Sequence, residues 1–168
     1  MTAEERRKGI LETIHRGDGP HNATVLAKTF GVSRQVVVAD VALLRASGHE
    51  IHATPRGYVM GWEENGLIRR VACRHGSEDA ERELNIIVDN GCTVLDVVVE
   101  HPVYGELTGS LRLKNRYEIS SFLNDLSRAR PLSVLTEGVH LHTVSCPDAQ
   151  AYERVVAQLS EAGILLTD

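Results

Sequence analysis

The apolar positions fall into two rhythms. Over the first sixty residues they recur at helical spacing: Ile10, Leu11 and Ile14, then Val25, Leu26 and Phe30, then Val37, Val41 and Leu44. Each group carries start and stop signals. Thr2 with Glu5 forms a capping-box pattern, Asn22 and Ser33 are N-cap residues, and Gly17-Asp18-Gly19-Pro20, Gly31 and Ser47-Gly48 end the helices. Two short extended runs follow, 50–54 and 58–60, joined by Pro55-Arg56-Gly57. Two helices joined by a tight Gly-containing turn predict a helix-turn-helix, and the hairpin after them predicts a wing.

The second rhythm alternates. Strands are predicted at 67–73, 93–100, 104–113, 139–144 and 164–166, and helices at 77–90, 117–128 and 149–162. The helix over 77–90 carries Ala80, Leu84, Ile87 and Val88 on one face, and that over 117–128 carries Ile119, Phe122, Leu123 and Leu126. The order predicts a ferredoxin-like α+β sandwich with helices on one face of a mostly antiparallel sheet. The join lies at Gly61-Trp62-Glu63-Glu64-Asn65-Gly66, which gives two domains, 1–61 and 66–168.

Charge sharpens this division. Residues 1–61 hold eight Lys/Arg against six Asp/Glu, a balance of +2, while 62–168 hold ten against seventeen, a balance of −7. A mildly basic front on an acidic back implies different partners for the two modules. The whole-chain charge of −5 argues against bulk electrostatic affinity for nucleic acid. No apolar run approaches the roughly 20 residues that span a bilayer. The charged Met1–Lys8 segment has no apolar stretch behind it and gives no expectation of a secretion signal. Three cysteines, Cys73, Cys92 and Cys146, lack CxxC spacing and fit reduced thiols in a cytoplasm.

The first turns of the third helix would meet base edges in a major groove. Arg34 can grip guanine or phosphate, and Gln35 can make a bidentate contact to adenine. Val36 and Val38, off the core stripe and expected to be exposed, suit thymine methyl groups. Ser33 starts the helix, and Arg56 at the wing tip can reach phosphate or the minor groove. Solvated side chains on a helical interaction module are the alternative.

Eight histidines are many for 168 residues. His15, His21, His49 and His52 read as surface or cap residues. His140 and His142 stand two apart on a strand, so both point to one face and can share a metal. His75 ends the first strand of the second module. Glu83 lies near the edge of a buried stripe, where an unpaired carboxylate would be costly. Three histidines and one glutamate would suit Zn, Ni, Fe or Co. Half-exposed strand histidines with Glu83 in a surface salt bridge are the other reading. The block His101-Pro102-Val103-Tyr104-Gly105-Glu106 could line a small-molecule pocket or form a plain β-turn.

In combination these residues resemble a known family. The run 33–45, SRQVVVADVALLR, is similar to the recognition helix of the niacin-responsive repressors (NiaR), and Thr54-Pro55-Arg56-Gly57-Tyr58 to their wing. His75, Glu83, HPVYGE at 101–106 and His140-Leu141-His142 follow the pattern of their three-histidine domain. The resemblance covers nearly the whole chain. It implies a homodimeric, cytoplasmic transcription repressor that binds double-stranded operator DNA ahead of genes for NAD synthesis and niacin uptake. It also implies nicotinic acid as co-repressor, with His101, Tyr104 and Glu106 at the effector, and a divalent metal on His75, Glu83, His140 and His142. The rival expectation is a metal-dependent hydrolase acting on a small carboxylate or pyridine, with His101 or Glu106 as base. A third is a structural metal with an unrelated ligand.

Overall fold

The computed structural model describes residues 1–61 and 65–167, and Trp62, Glu63 and Glu64, within the expected join, lie outside them. The chain divides into two compact units, Met1–Glu63 and Glu64–Asp168.

The first unit contains α1 (Ala3–His15), α2 (Ala23–Phe30), α3 (Arg34–Ala46), β1 (Ile51–Thr54) and β2 (Gly57–Met60). The caps are those that the sequence offers. Thr2 and Glu5 close a reciprocal capping box, while Asn22 and Ser33 accept from Thr24 and Val36 amides. The core is Ile10, Ile14, Leu26, Val37, Val41, Leu44 and Ile51, with Phe30 and Tyr58 packed on it. The buried Asp40 carboxylate on α3 is held by Arg6 of α1, Nε to Oδ2 at 2.6 Å, with Arg7 at 3.6 Å. A charge enters this interface only because it is paired.

β1 and β2 form an antiparallel hairpin, Ile51 opposite Met60 and Thr54 opposite Gly57. His21, expected at the surface or as a cap, instead bridges to Tyr58 through two backbone hydrogen bonds of 2.9 Å and ties the wing to the start of α2. The contact exists because residue 57 is glycine. Its φ is +134°, and a Cβ there would meet the His21 carbonyl carbon at 2.4 Å.

The second unit contains β3 (Leu67–Arg74), α4 (Ala80–Asp89), β4 (Thr93–His101), β5 (Gly105–Leu113), α5 (Arg116–Leu126), β6 (Val139–Cys146) and α6 (Ala149–Glu161). The sheet order is β3-β6-β4-β5, and every neighbouring pair is antiparallel. β3 and β4 therefore run the same way with the last strand, β6, inserted between them, a split β-α-β unit. The helices bury Leu84, Ile87, Ile119, Val155 and Leu159 against Val71, Val94, Leu113 and Val144 of the sheet.

Some expected elements take other forms. The first turn of the 77–90 helix is a 3-10 turn, Ser77–Asp79, and another, Leu132–Thr136, precedes β6. The closing strand at 164–166 reduces to one bridge, Cys73 to Leu165. The Arg74 amide donates to Ile164 and the Leu166 amide to Ala72, both at 2.9 Å, along the outer edge of β3. All three cysteines are buried and unbridged.

Gly57→Ala should destabilise the first unit by about 2 kcal/mol or more, because the wing must move off His21 or the backbone must leave its φ. Chemical denaturation followed by circular dichroism measures this, and an unchanged midpoint would contradict the packing described.

Candidate metal centre and nucleic-acid face

Four segments meet around one carboxylate. α4 is amphipathic and presses Leu84, Ile87 and Val88 into the core, and this carries Glu83, the residue before Leu84, inward to 2% exposure. The alternation of β6 places His140 and His142 on the same side as Val144, facing the helices. His75 follows the end of β3. It is held by Gly138, whose φ is +91° and where a Cβ would lie 2.4 Å from the His75 carbonyl oxygen. Glu137 just before it is also left-handed, with φ +53°. The chain thus turns sharply into β6 and brings the Gly138 carbonyl between the two histidine segments.

Each imidazole is fixed from behind. Nδ1 of His75 donates to the carbonyl of Gly76 at 2.6 Å, that of His140 to Gly138 at 2.8 Å, and that of His142 to Asp96 at 2.7 Å. Carbonyls only accept, so Nδ1 carries the proton on all three rings. Each Nε2 then points at Glu83. The distances are 2.5 Å from His75 and 2.8 Å from His140 to Oε2, and 2.5 Å from His142 to Oε1. Neutral rings would set three lone pairs against a carboxylate, so something positive must lie between. Without a cation, protons on His75 and His142 supply that charge. Burial alone would lower the His142 and His75 pKa values, but the Glu83 charge and hydrogen bonds outweigh it and raise both above 6.5. Burial would likewise raise Glu83, yet the three histidines hold it well below the usual carboxylate range.

A divalent cation fits this arrangement. The rings are already in the tautomer that ligates through Nε2, and the backbone carbonyls supply the outer hydrogen bonds that orient such ligands. His75, Glu83, His140 and His142, singled out in the sequence, are brought together. One neighbour was missed. Cys73 is buried, sits opposite His140 in the β3–β6 register, and has its sulfur within 4.8 Å of the ligand atoms of Glu83 and His140. Its signal was present, since Cys73 and His75 stand two apart at the end of one strand.

The 101–106 block lies elsewhere. It is the tip of the β4–β5 hairpin, with Val103 80% and Tyr104 77% exposed. His101 Nδ1 accepts from the Val103 and Tyr104 amides, the His101 and Tyr104 ring centroids are 5.0 Å apart, and Glu106 faces Arg70 at 3.9 Å. Among the described residues no hydrogen bond or ion pair joins this block to Glu83 or its histidines.

In the first unit, Arg34 and Gln35 are exposed on the first turn of α3, as is Arg56 in the wing turn. Ser33 is exposed and its hydroxyl caps the helix. Val36 and Val38 are half-buried rather than exposed, because they flank the Val37/Val41 stripe. Ala39, Ala42 and Leu43 complete the open face of the helix and were not anticipated.

Residues 6–59 match the HTH domain family and residues 68–168 the 3H domain family. The chain is 41% identical over 167 residues to a Thermotoga maritima protein described as "Probable transcription repressor NiaR", covering 98% of this chain and 95% of that one. It is 43% identical over 174 residues to the Bacillus subtilis "Transcription repressor NadR", covering 100% and 97%. An uncharacterized protein of Methanothermus fervidus is 29% identical over 108 residues, 60% of this chain and 17% of its own length. No helix of the described residues is long and apolar enough to cross a membrane.

The protonation at the cluster gives opposite pH responses with and without metal. His142 and His75, raised when folded, stabilise the metal-free protein below their unfolded value near 6.5 and lose that effect as pH rises through their folded values. Glu83, lowered when folded, stabilises above its unfolded value near 4.5 and loses that effect as pH falls through its folded value. Metal-free protein should therefore be most stable between these limits, on the acid side of neutrality. Metal needs neutral imidazole, so zinc-loaded protein should gain stability relative to it as pH rises. Thermal melts from pH 5 to 9 in chelator or zinc test this, and parallel curves would contradict it.

Proposed function

The chain belongs to the NiaR/NadR family of transcription repressors, and from that premise we propose that it is a cytoplasmic, metal-dependent repressor that binds operator DNA as a homodimer with nicotinic acid as co-repressor. It is not an enzyme, since relatives along its full length are named transcription repressors and its residues 6–59 are an HTH domain, and the hydrolase reading falls with that. The observation that carries the metal is the convergence of three Nε2 atoms, each with its Nδ1 proton already committed, on one buried carboxylate. His75, Glu83, His140 and His142 would hold Ni, Zn, Fe or Co. When bound, the ion supplies a Lewis-acid position that a carboxylate or a pyridine nitrogen can take. Three neutral rings and one carboxylate leave one positive charge on a divalent ion, and a monoanion such as nicotinate matches it.

The remaining residues bind and position. Arg34 and Gln35 would read bases, with Val36 and Val38 beside them for thymine methyl groups, while Ser33 fixes the start of the helix and Arg56 approaches the backbone. The open Tyr104 ring and the His101 and Glu106 side chains would contact the effector in the assembled dimer. A co-repressor that prefers the DNA-competent form shifts the population toward it, and DNA tightens co-repressor binding by the same factor. A dimer would set its two recognition helices about 34 Å apart on a palindromic operator.

Two experiments test this reading. At fixed salt, nicotinate should tighten operator binding about 5- to 150-fold in metal-loaded protein, a coupling of about 1–3 kcal/mol, and should do nothing after chelation. A response that survives chelation would detach the effector from the metal. No response in any metal state would remove the niacin reading. Arg34→Ala and Gln35→Ala should each cost about 1–3 kcal/mol of operator affinity. Each should change stability by less than about 0.5 kcal/mol. Normal operator binding by both would misplace the recognition surface.

A further inference from the structure

Resting on the metal reading above, we propose that Cys73 donates its thiolate to the same ion, so that the centre is mixed nitrogen, oxygen and sulfur. Three placements converge on this. In the β3–β6 register Cys73 is directly opposite His140, and it faces the helix side together with Val71. It has no exposed surface. Its Sγ, a Glu83 oxygen and a His140 nitrogen lie within 4.8 Å of one another, close enough to share one ion.

A buried cysteine is often only a small hydrophobe. Here one side of it is a polar wall, because Glu83 and His140 are themselves buried beside it. On coordination the S–H bond breaks, the proton passes to solvent and a sulfur–metal bond forms, and no electron changes hands. A soft donor tilts the site toward zinc, cobalt and nickel and away from magnesium, calcium and manganese.

The full-length chain, stripped by chelator and reloaded with Co(II), tests this. A near-ultraviolet thiolate-to-cobalt charge-transfer band is expected in the unmodified chain and in Cys92→Ser, and should vanish in Cys73→Ser. Zinc-loaded protein should show a sulfur neighbour at about 2.3 Å by X-ray absorption. Cys73→Ser should bind zinc about 10-fold or more weakly in a chelator competition. Cobalt bound without a sulfur band, together with unchanged zinc affinity in Cys73→Ser, would overturn the thiolate and leave the histidine–glutamate centre standing. An unmodified chain that takes up no metal would overturn both. If Cys73→Ser does not fold, the spectrum and zinc absorption of the unmodified chain decide alone.

Discussion

A carboxylate sealed from water inside a ring of imidazoles is the constraint on which the second unit turns. Glu83 can be buried on α4 only if positive charge meets it there, because an unpaired buried carboxylate costs several kcal/mol. The groups that meet it come from the end of β3 and from β6, so one charge pins a helix to two strands of the sheet. The rings in turn need their Nδ1 protons placed, and the carbonyls of Gly76, Gly138 and Asp96 do this. The left-handed turn at Glu137-Gly138 and the run of β4 past His142 are thereby drawn into the same arrangement. Removing one partner would leave the others unmatched, so the cluster behaves as a unit.

How much of this could be read in advance follows from what leaves a mark on side-chain order. Helices α1 to α3 were legible because caps, breakers and apolar spacing agree at each one, and the wing because Pro55-Arg56-Gly57 sits between two short extended runs. His140-Leu141-His142 was legible for a simpler reason: two residues apart on a strand means one face. Glu83 could be suspected from its place beside Leu84 and Ile87, although its near-complete burial could not. The carbonyls that orient the rings have no sequence signature. Cys73 was overlooked because the same alternation that aims it at the site also makes it look like core, alongside Val71. The irregular stretch of the β4–β6 pairing between Val94 and Val98, where the Asp96 carbonyl meets His142, depends on pairing across strands and leaves no local pattern.

The 101–106 block is a different case. Its density of His, Tyr and Glu invited a pocket, yet local chemistry explains most of it. His101 accepts two amides of its own turn, and Gly105 takes a φ of +74° to start β5.

On the proposed reading of the protein as an effector-responsive repressor, the cluster also gives a reason for so costly a device. Without metal, its balance rests on imidazolium protons that burial opposes; with metal, the same rings must be neutral. Two charge arrangements of one packed site therefore compete, and they differ by discrete protons and one ion rather than by a gradual adjustment. Close-packed interiors respond to such a change by switching between arrangements rather than by deforming continuously. A module built only from the Val71, Leu84, Ile87 and Val144 core would be easier to stabilise, but it would offer a small anionic ligand no difference in free energy between two states. That difference is what a ligand must act on to shift a population. On that reading, the buried charge is the element of the second unit through which binding of a small molecule would act.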